Sequence, residues 1–296
     1  MGAQLRVYRR RIRSTKSMAK ITRAMELIAT TRITKAQRAA EAAGPYAREI
    51  ERAVSALASR VTDHPLLTEA ENPTRAAVLV ITSDKGLAGA FSSNVLKETD
   101  SLTKLLREEG KEVLTYMVGR KGVGFYKFRD RPLEAQWEGM TERPTYAHAQ
   151  EMGGALMERF SEDSADGGVD EIYVVSTEFV SMLTQKAVAT RVLPLETEPT
   201  DEVLPLYEFE PSAEEALDRL LPQYVINRIF FALLESSASQ QASRRAAMKA
   251  ATDNAEELAK NLTRLANQAR QAEITNELSE IVGGADALAA ASAGSE

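Results

Sequence analysis

The sequence predicts a mixed α+β/α/β protein: a long antiparallel coiled coil of N- and C-terminal helices with an inserted Rossmann-like α/β domain. Three observations predict it. Small and apolar residues recur at steps of three and four from residue 3 to about 59, the spacing that lines one side of a helix. The same spacing returns from Ser239 to Gly284, with no proline and no glycine before Gly283. Between the two lie short apolar runs alternating with amphipathic stretches, the pattern of strands and crossover helices. Residues 1–60 with 211–296 are therefore assigned to a discontinuous shaft, and residues 74–205 to the insert.

The first helix carries Leu5, Tyr8, Ile12, Thr15 and Ala19 on one line and Met18, Ile21, Met25 and Ile28 on an adjacent one. From Ala29 the line runs through Ile33, Ala36, Ala40, Ala43, Ala47, Ile50, Val54 and Leu57, sustained heptads of coiled-coil type. Roughly 55 residues rising about 1.5 Å each span about 80 Å. Gly44-Pro45 predicts a kink or short break. Asp63-His64-Pro65 to Asn72-Pro73 reads as loop. Strands are expected at Ala76–Thr82, Glu112–Val118, Leu133–Trp137 (weak), Ile172–Ser176 and Ala187–Leu193. Helices are expected at Ser92–Glu109, Gly122–Asp130 and Tyr146–Phe160. That alternation implies a parallel sheet with right-handed crossovers. Ser161–Gly168 reads as a flexible acidic loop and Glu196–Pro205 as a linker. Ser212-Ala213-Glu214-Glu215 is a capping box for a short helix ending at Leu221, and Pro222 opens the next helix, which runs to about Gly283. On that helix Ala247, Ala251, Asn254, Leu258, Leu262, Leu265, Ala269 and Ala272 form the expected stripe, narrow and rich in small residues, suited to close helix pairing. An Ala/Ser tail follows.

Composition narrows the chemistry. The 296 residues carry a net charge of −6 and no cysteine, so nothing global points to nucleic acid, and disulfides and thiolate metal sites are excluded. Aromatic content is 6%, low for one large packed core. No apolar run is long enough to span a bilayer. Before Glu26 there is no acid, while Arg6, Arg9, Arg10, Arg11, Arg13, Lys16, Lys20 and Arg23 are basic. Such a start has the composition of a mitochondrial presequence or of a mature helix that meets acidic surfaces, and its unbroken periodicity favours the second. The more acidic Glu256, Glu257, Glu273, Glu277 and Glu280 complement it.

No catalytic, cofactor or metal site is predicted. A phosphate-cradling G-x-x-x-x-G-K-[ST] loop is absent, and Gly119, Gly122 and Gly124 do not have dinucleotide-fingerprint spacing. His64 and His148 are isolated in sequence and read as structural. One loop stands out: Ser83-Asp84-Lys85-Gly86-Leu87-Ala88-Gly89-Ala90-Phe91 follows the first strand, at the end of the sheet where ligands sit in α/β folds. The residues alone leave two function classes open: a structural coiled-coil scaffold with a globular insert, and a nucleotide-binding α/β protein with helical arms.

Several motifs carry a resemblance. Ala247–Ala255 reads A-M-K-A-A-T-D-N-A. Ala269–Ala285 reads A-R-Q-A-E-I-T-N-E-L-S-E-I-V-G-G-A. Ile21-Thr22-Arg23-Ala24-Met25-Glu26 and Lys35-Ala36-Gln37 lie on the first helix. Together they resemble the γ subunit of the rotary, F-type, proton-translocating ATP synthase of bacteria, over both long helices and the first turn of the insert; from about Glu98 to Pro211 only the pattern is similar. The family carries S-D-[RK]-G-L-C-G where this chain has Ser83–Gly89, with Ala88 in place of cysteine.

The resemblance implies a non-catalytic central-stalk rotor. Its helices would form an asymmetric shaft inside a ring of three α and three β subunits, with the insert beside the ε subunit and the c-subunit ring. Membrane association would come only through these partners, at the cytoplasmic side of the bacterial plasma membrane. It further implies β-subunit contacts: Arg244, Arg270 and Gln271 match residues that engage a β-subunit loop, Thr275 and Glu277 match residues important to coupling, Met25 matches a shaft residue near an acidic β-subunit loop, and Lys85 lies in the loop near the lower rim of the catalytic head. Arg245 stands where the family has methionine.

Overall fold

The computed structural model describes residues 3–58, 70, 72–163, 166–195 and 212–293. The expected linker Glu196–Pro205, most of the Asp63–Pro73 loop including His64, and part of the Ser161–Gly168 loop lie outside the described residues. Two compact units result: Met1–Leu27 with Ala247–Glu296, and Ile28–Ala246. Two helices contribute to both, α1 (Ala3–Ala58) and α5 (Ala213–Ala293).

In the first unit α1 and α5 pair in opposite directions. On α1, Leu5 and Thr22 are buried, and Tyr8, Ile12, Thr15 and Ala19 are half-buried between them, as the periodicity predicts. On α5 the buried line is Met248, Thr252, Ala255, Ala259, Leu262 and Ala266, spaced 4-3-4-3-4. Leu262 of the expected stripe is on this line, and Ala247, Ala251, Leu265 and Ala269 are half-buried beside it, but Asn254, Leu258 and Ala272 face outward, Leu258 at 51% exposure. Leucine weighs heavily in a periodicity reading, but between Thr252 and Ala259 the seam is close and takes Ala255 and Ala259 in place of Leu258. Here the seam is narrow enough for the Thr22 and Thr252 hydroxyls to meet at 2.6 Å. Arg23 and Glu256 form an ion pair at 3.6 Å on its rim.

The second unit is built on a five-stranded sheet in the order β3-β2-β1-β4-β5. The strands are β1 (Arg75–Ile81), β2 (Glu112–Val118), β3 (Ala135–Trp137), β4 (Glu171–Phe179) and β5 (Gln185–Leu193). Helices α2 (Phe91–Glu108), α3 (Arg120–Phe128) and α4 (Tyr146–Ser161) connect them. The first four strands are parallel, but β5 runs antiparallel to β4, which corrects the all-parallel expectation. Only residues 180–184 separate those two strands, too few for a crossover. They form a tight turn in which Ser181 Oγ accepts from the amides of Leu183 and Thr184 at 3.2 and 3.1 Å.

The central strand explains its unbroken apolar run. Ala77, Leu79 and Ile81 point to one face, against Ile50, Val54 and Leu57 of α1, Met152 and Leu156 of α4, and Leu217, Leu221, Val225 and Ile229 of α5. Ala76, Val78 and Val80 point to the other, against Val95, Leu102 and Leu106 of α2 and Val123 and Tyr126 of α3. Both faces are covered, so both residue parities are apolar.

Three local stop signals do not end their helices. Helix α1 passes through Gly44-Pro45 without the expected break, and α5 passes through Pro222 instead of restarting there. Each proline costs one helical hydrogen bond. Leu217 and Leu221 before Pro222 and Val225 after it remain on one buried face, which keeps the helix whole. Ser212 Oγ accepts from the Glu215 amide at 3.2 Å, so the first half of the predicted cap is present. Helix α5 also continues past Gly283-Gly284 to Ala293, carried by the alanine-rich run that follows.

Candidate functional site

The loop after β1 is held by hydrogen bonds within the chain. Asp84 accepts from the Gly139 amide at 2.8 Å and the Arg120 amide at 3.2 Å through one oxygen, and from the Thr141 amide and hydroxyl, both at 2.9 Å, through the other. Burial alone would raise its pKa, but these four bonds outweigh burial and hold it below the ordinary aspartate value. The Asp84 amide donates to Thr141 Oγ1 at 3.0 Å, the Lys121 amide to Ser83 O at 2.9 Å, and the Gly122 amide to Thr82 Oγ1 at 3.0 Å.

This geometry weighs against a nucleotide site. The amides at the start of α3, of the kind that face the ligand in phosphate-binding folds, are occupied by protein acceptors, one of them the Asp84 carboxylate. Gly119 and Gly122 serve packing. Gly119 has φ +96°, and a Cβ there would lie 2.7 Å from Thr82 O; one on Gly122 would overlap Met117 Sδ.

Next to Asp84 lies a cluster assembled from four segments. Glu142, in the irregular stretch between β3 and α4, meets Lys85 Nζ at 2.7 Å, an Arg32 guanidinium nitrogen at 2.8 Å and an Arg244 guanidinium nitrogen at 3.1 Å. Arg244 also donates to Gln241 Oε1 at 2.9 Å and, at 3.4 and 3.5 Å, toward the carbonyls of Lys85 and Gly86. Arg244 is 5% exposed. One carboxylate therefore serves three cations, and the titration directions agree with that excess. Burial would raise the Glu142 pKa, but the Lys85 bond and the charges of Arg244 and Arg32 bring it below the usual value. Burial pulls the Arg244 pKa down, with Arg32 pushing the same way and Glu142 opposing.

The residues expected to meet a partner separate into two sets. Lys85 and Arg244 lie in the second unit, where Glu142 brings them together. Met25 is half-buried on α1 in the first unit, and Arg270, Gln271, Thr275 and Glu277 are exposed on α5 beyond Ala266. The Thr275 hydroxyl donates to the Gln271 carbonyl at 3.0 Å. On the same stretch Ile274, Leu278, Ile281 and Val282 are also exposed. Glu142 has no sequence signal: its bonds to Arg32 and Arg244 span 110 and 102 residues. His148 accepts from the Thr145 amide at 3.1 Å in a capping box at the start of α4, in keeping with a structural histidine. Among the described residues no group of three or more His, Asp or Glu could hold a metal ion, and no helix is long and apolar enough to cross a membrane.

Comparison with known proteins gives one consistent family. The family model described as ATP synthase matches residues 4–288. The chain is 77% identical to the ATP synthase gamma chain of Thermobifida fusca (strain YX), over 100% of both chains. It is 58% identical to that of Streptomyces coelicolor, again over the full length of both. A chain of the Euglena gracilis mitochondrial ATP synthase, from a structure of OSCP, F1 and c-ring, superposes with a TM-score of 0.63 at 14% identity, over 97% of this chain and 95% of that one. One from the central stalk and c-ring of the Tetrahymena thermophila enzyme gives 0.58 at 22% identity, over 78% of this chain and 99% of that one. These two likenesses show a shared fold.

Proposed function

The chain belongs to the ATP synthase gamma-chain family, and on that premise we propose that it turns as the central-stalk rotor, coupling proton flow through the membrane sector to binding changes at the catalytic β subunits. The observation that carries this reading is the form of α5. Up to Ala266 it is sealed against α1 along a seam of small residues; beyond that point it exposes Ile274, Leu278, Ile281 and Val282 beside Arg270, Gln271, Thr275 and Glu277. A solvent-exposed row of large apolar side chains marks a partner surface, and the interleaved polar groups supply directional hydrogen bonds to it.

In this reading residues 1–60 with 211–296 act as the shaft and 74–205 as the insert. Three α and three β subunits surround the shaft, and the insert meets the ε subunit and the c-subunit ring. The chain is held at the cytoplasmic side of the bacterial plasma membrane by these partners alone. Met25, Lys85, Arg244, Arg270, Gln271, Thr275 and Glu277 are the β-subunit contacts, with Lys85 and Arg244 anchored from behind by Glu142. Chemistry stays in the β subunits. Each β site meets a different side of an asymmetric shaft, and turning the shaft shifts the population of its empty, nucleotide-bound and product-binding states through differential contact energy.

Affinity purification of the tagged chain from its own cells, with ATPase assay and subunit stoichiometry, tests this. Six larger subunits per copy with ATP hydrolysis are expected. Recovery of self-associated chain without ATPase would overturn the reading in favour of a coiled-coil scaffold.

A further inference from the structure

The second unit contains two kinds of attachment between the insert and the long helices. The larger is apolar: one face of the sheet lies on Ile50, Val54 and Leu57 of α1 and on Leu217, Leu221, Val225 and Ile229 of α5. Such contact resists separation, but it is non-directional. The other is a set of hydrogen bonds with defined directions. Neutral ones join the insert to α5 alone: Thr177 with Ser236 and Ser239, Gln185 with Ser243, and Tyr146 with Gln223. The charge-assisted ones, which reach α1 as well, converge on residues 141–142. Thr141 bonds to Asp84 through its amide and hydroxyl. Glu142 takes Arg32 from α1, Lys85 from the loop after β1 and Arg244 from α5. The Ser237 hydroxyl of α5 also donates to the Glu142 carbonyl at 3.3 Å.

We infer that Glu142 is a positioning residue, the torsional anchor that ties the insert to both long helices at one point. The inference rests on the rotor reading, since only a chain that carries torque needs such an anchor. The geometry specifies how it works. Glu142 engages both helices through separate oxygens, Arg32 through Oε2 and Arg244 through Oε1. Rotation of the insert about the helix pair therefore stretches one bond or the other at once, whereas the apolar face yields by small slips. Lys85 shares Oε2 with Arg32, so the loop moves with the anchor. The Arg244 fork holds the same loop through the carbonyls of Lys85 and Gly86.

The test is single-molecule, in the assembled complex with α and β subunits fixed to a surface and nucleotide held constant. The angular spread of a probe attached to the insert reports torsional compliance. Glu142→Gln, close in size and uncharged, is expected to widen the spread at least two-fold, and Glu142→Asp to recover part of the difference. Glu112→Gln, which severs the exposed Arg75–Glu112 pair at 2.6 Å, is expected to leave it unchanged. An unchanged spread in Glu142→Gln, or an equal widening in Glu112→Gln, overturns the inference while leaving the rotor reading intact. Should Glu142→Gln fail to assemble, Arg32→Gln removes the α1 leg alone, and a spread equal to that of the unsubstituted chain overturns the inference. If the unsubstituted chain itself does not assemble with the α and β subunits, the rotor reading fails and the inference with it.

Discussion

Replacing Arg244 with alanine in the free chain measures how firmly the residue is engaged inside the chain before any partner meets it. The guanidinium leaves behind Glu142, Gln241 Oε1 and two loop carbonyls. Glu142 keeps Arg32 and Lys85, so no buried charge is stranded and the full 3–5 kcal/mol of a broken buried pair (about that range in general) does not apply. Gln241 Oε1 loses a 2.9 Å donor, worth about 1 kcal/mol. The carbonyl contacts are long and add about 0.5 kcal/mol together. Truncating a side chain that is 5% exposed leaves a void worth about 1 kcal/mol more. Relief of Arg32 repulsion offsets a fraction of this. The expected loss is therefore about 2 kcal/mol, read by urea unfolding of the free chain. Arg244→Lys, which keeps the charge and loses the fork, should forfeit more than half of it. A change within about 0.5 kcal/mol, typical of an exposed arginine, would refute the placement of Arg244 as an internal clamp.

Three further predictions probe the rest of the fold. Thr252→Val removes the 2.6 Å hydroxyl pair, but Thr22 retains the Met18 and Ala19 carbonyls, so thermal melting should show a loss of only about 0.5–1 kcal/mol; Thr252→Leu overfills the seam and should cost about 1–3 kcal/mol. Lys111→Met takes the ammonium from Glu171, 4% exposed and bonded to Lys111 at 2.8 Å, while the Tyr173 hydroxyl stays at 3.3 Å; it should cost about 3 kcal/mol in urea unfolding, most of it recovered when Glu171→Leu is added. Glu235 has a pKa raised chiefly by burial and then by Glu178, against Arg228. A raised carboxyl contributes stability that is complete below its unfolded value near 4.5 and is lost as pH rises through the folded value. Glu235→Gln should therefore stabilise the chain at pH 7, with the gain vanishing in melts near pH 4.

Much of the fold is legible in the sequence because periodicity records burial. β2 spans Glu112–Val118 as expected, and β1, α2, α3 and α4 begin and end within two residues of expectation. On α1 the line from Leu5 to Leu57 is the buried one. The departures have physical causes. Pro222 reads as a boundary because a proline is a local signal, whereas the apolar face that carries α5 across it is tertiary. The α5 stripe is misplaced at Leu258 because hydrophobicity guides such a reading, whereas the seam is close at this point and buries Ala255 and Ala259 instead. The direction of β5 depended on counting residues 180–184, too few for a crossover. The site divides in the same way. Arg244 and Lys85 carry motif signals, but Glu142, which joins them, is more than fifty residues from either in the chain and lies in an irregular segment where no period operates. Its role emerges only when the sheet and both helices are assembled.

The central claim is that this chain turns inside a ring of catalytic subunits, and the most direct measurement is observation of that turning. With the α and β subunits assembled around the chain and anchored to glass, and a gold particle attached to the insert, ATP should drive stepwise rotation in one direction, and a reversible cross-link between the shaft and a β subunit should stop rotation and hydrolysis together. Continued ATP hydrolysis with a stationary particle, or full hydrolysis in the cross-linked complex, would contradict the account.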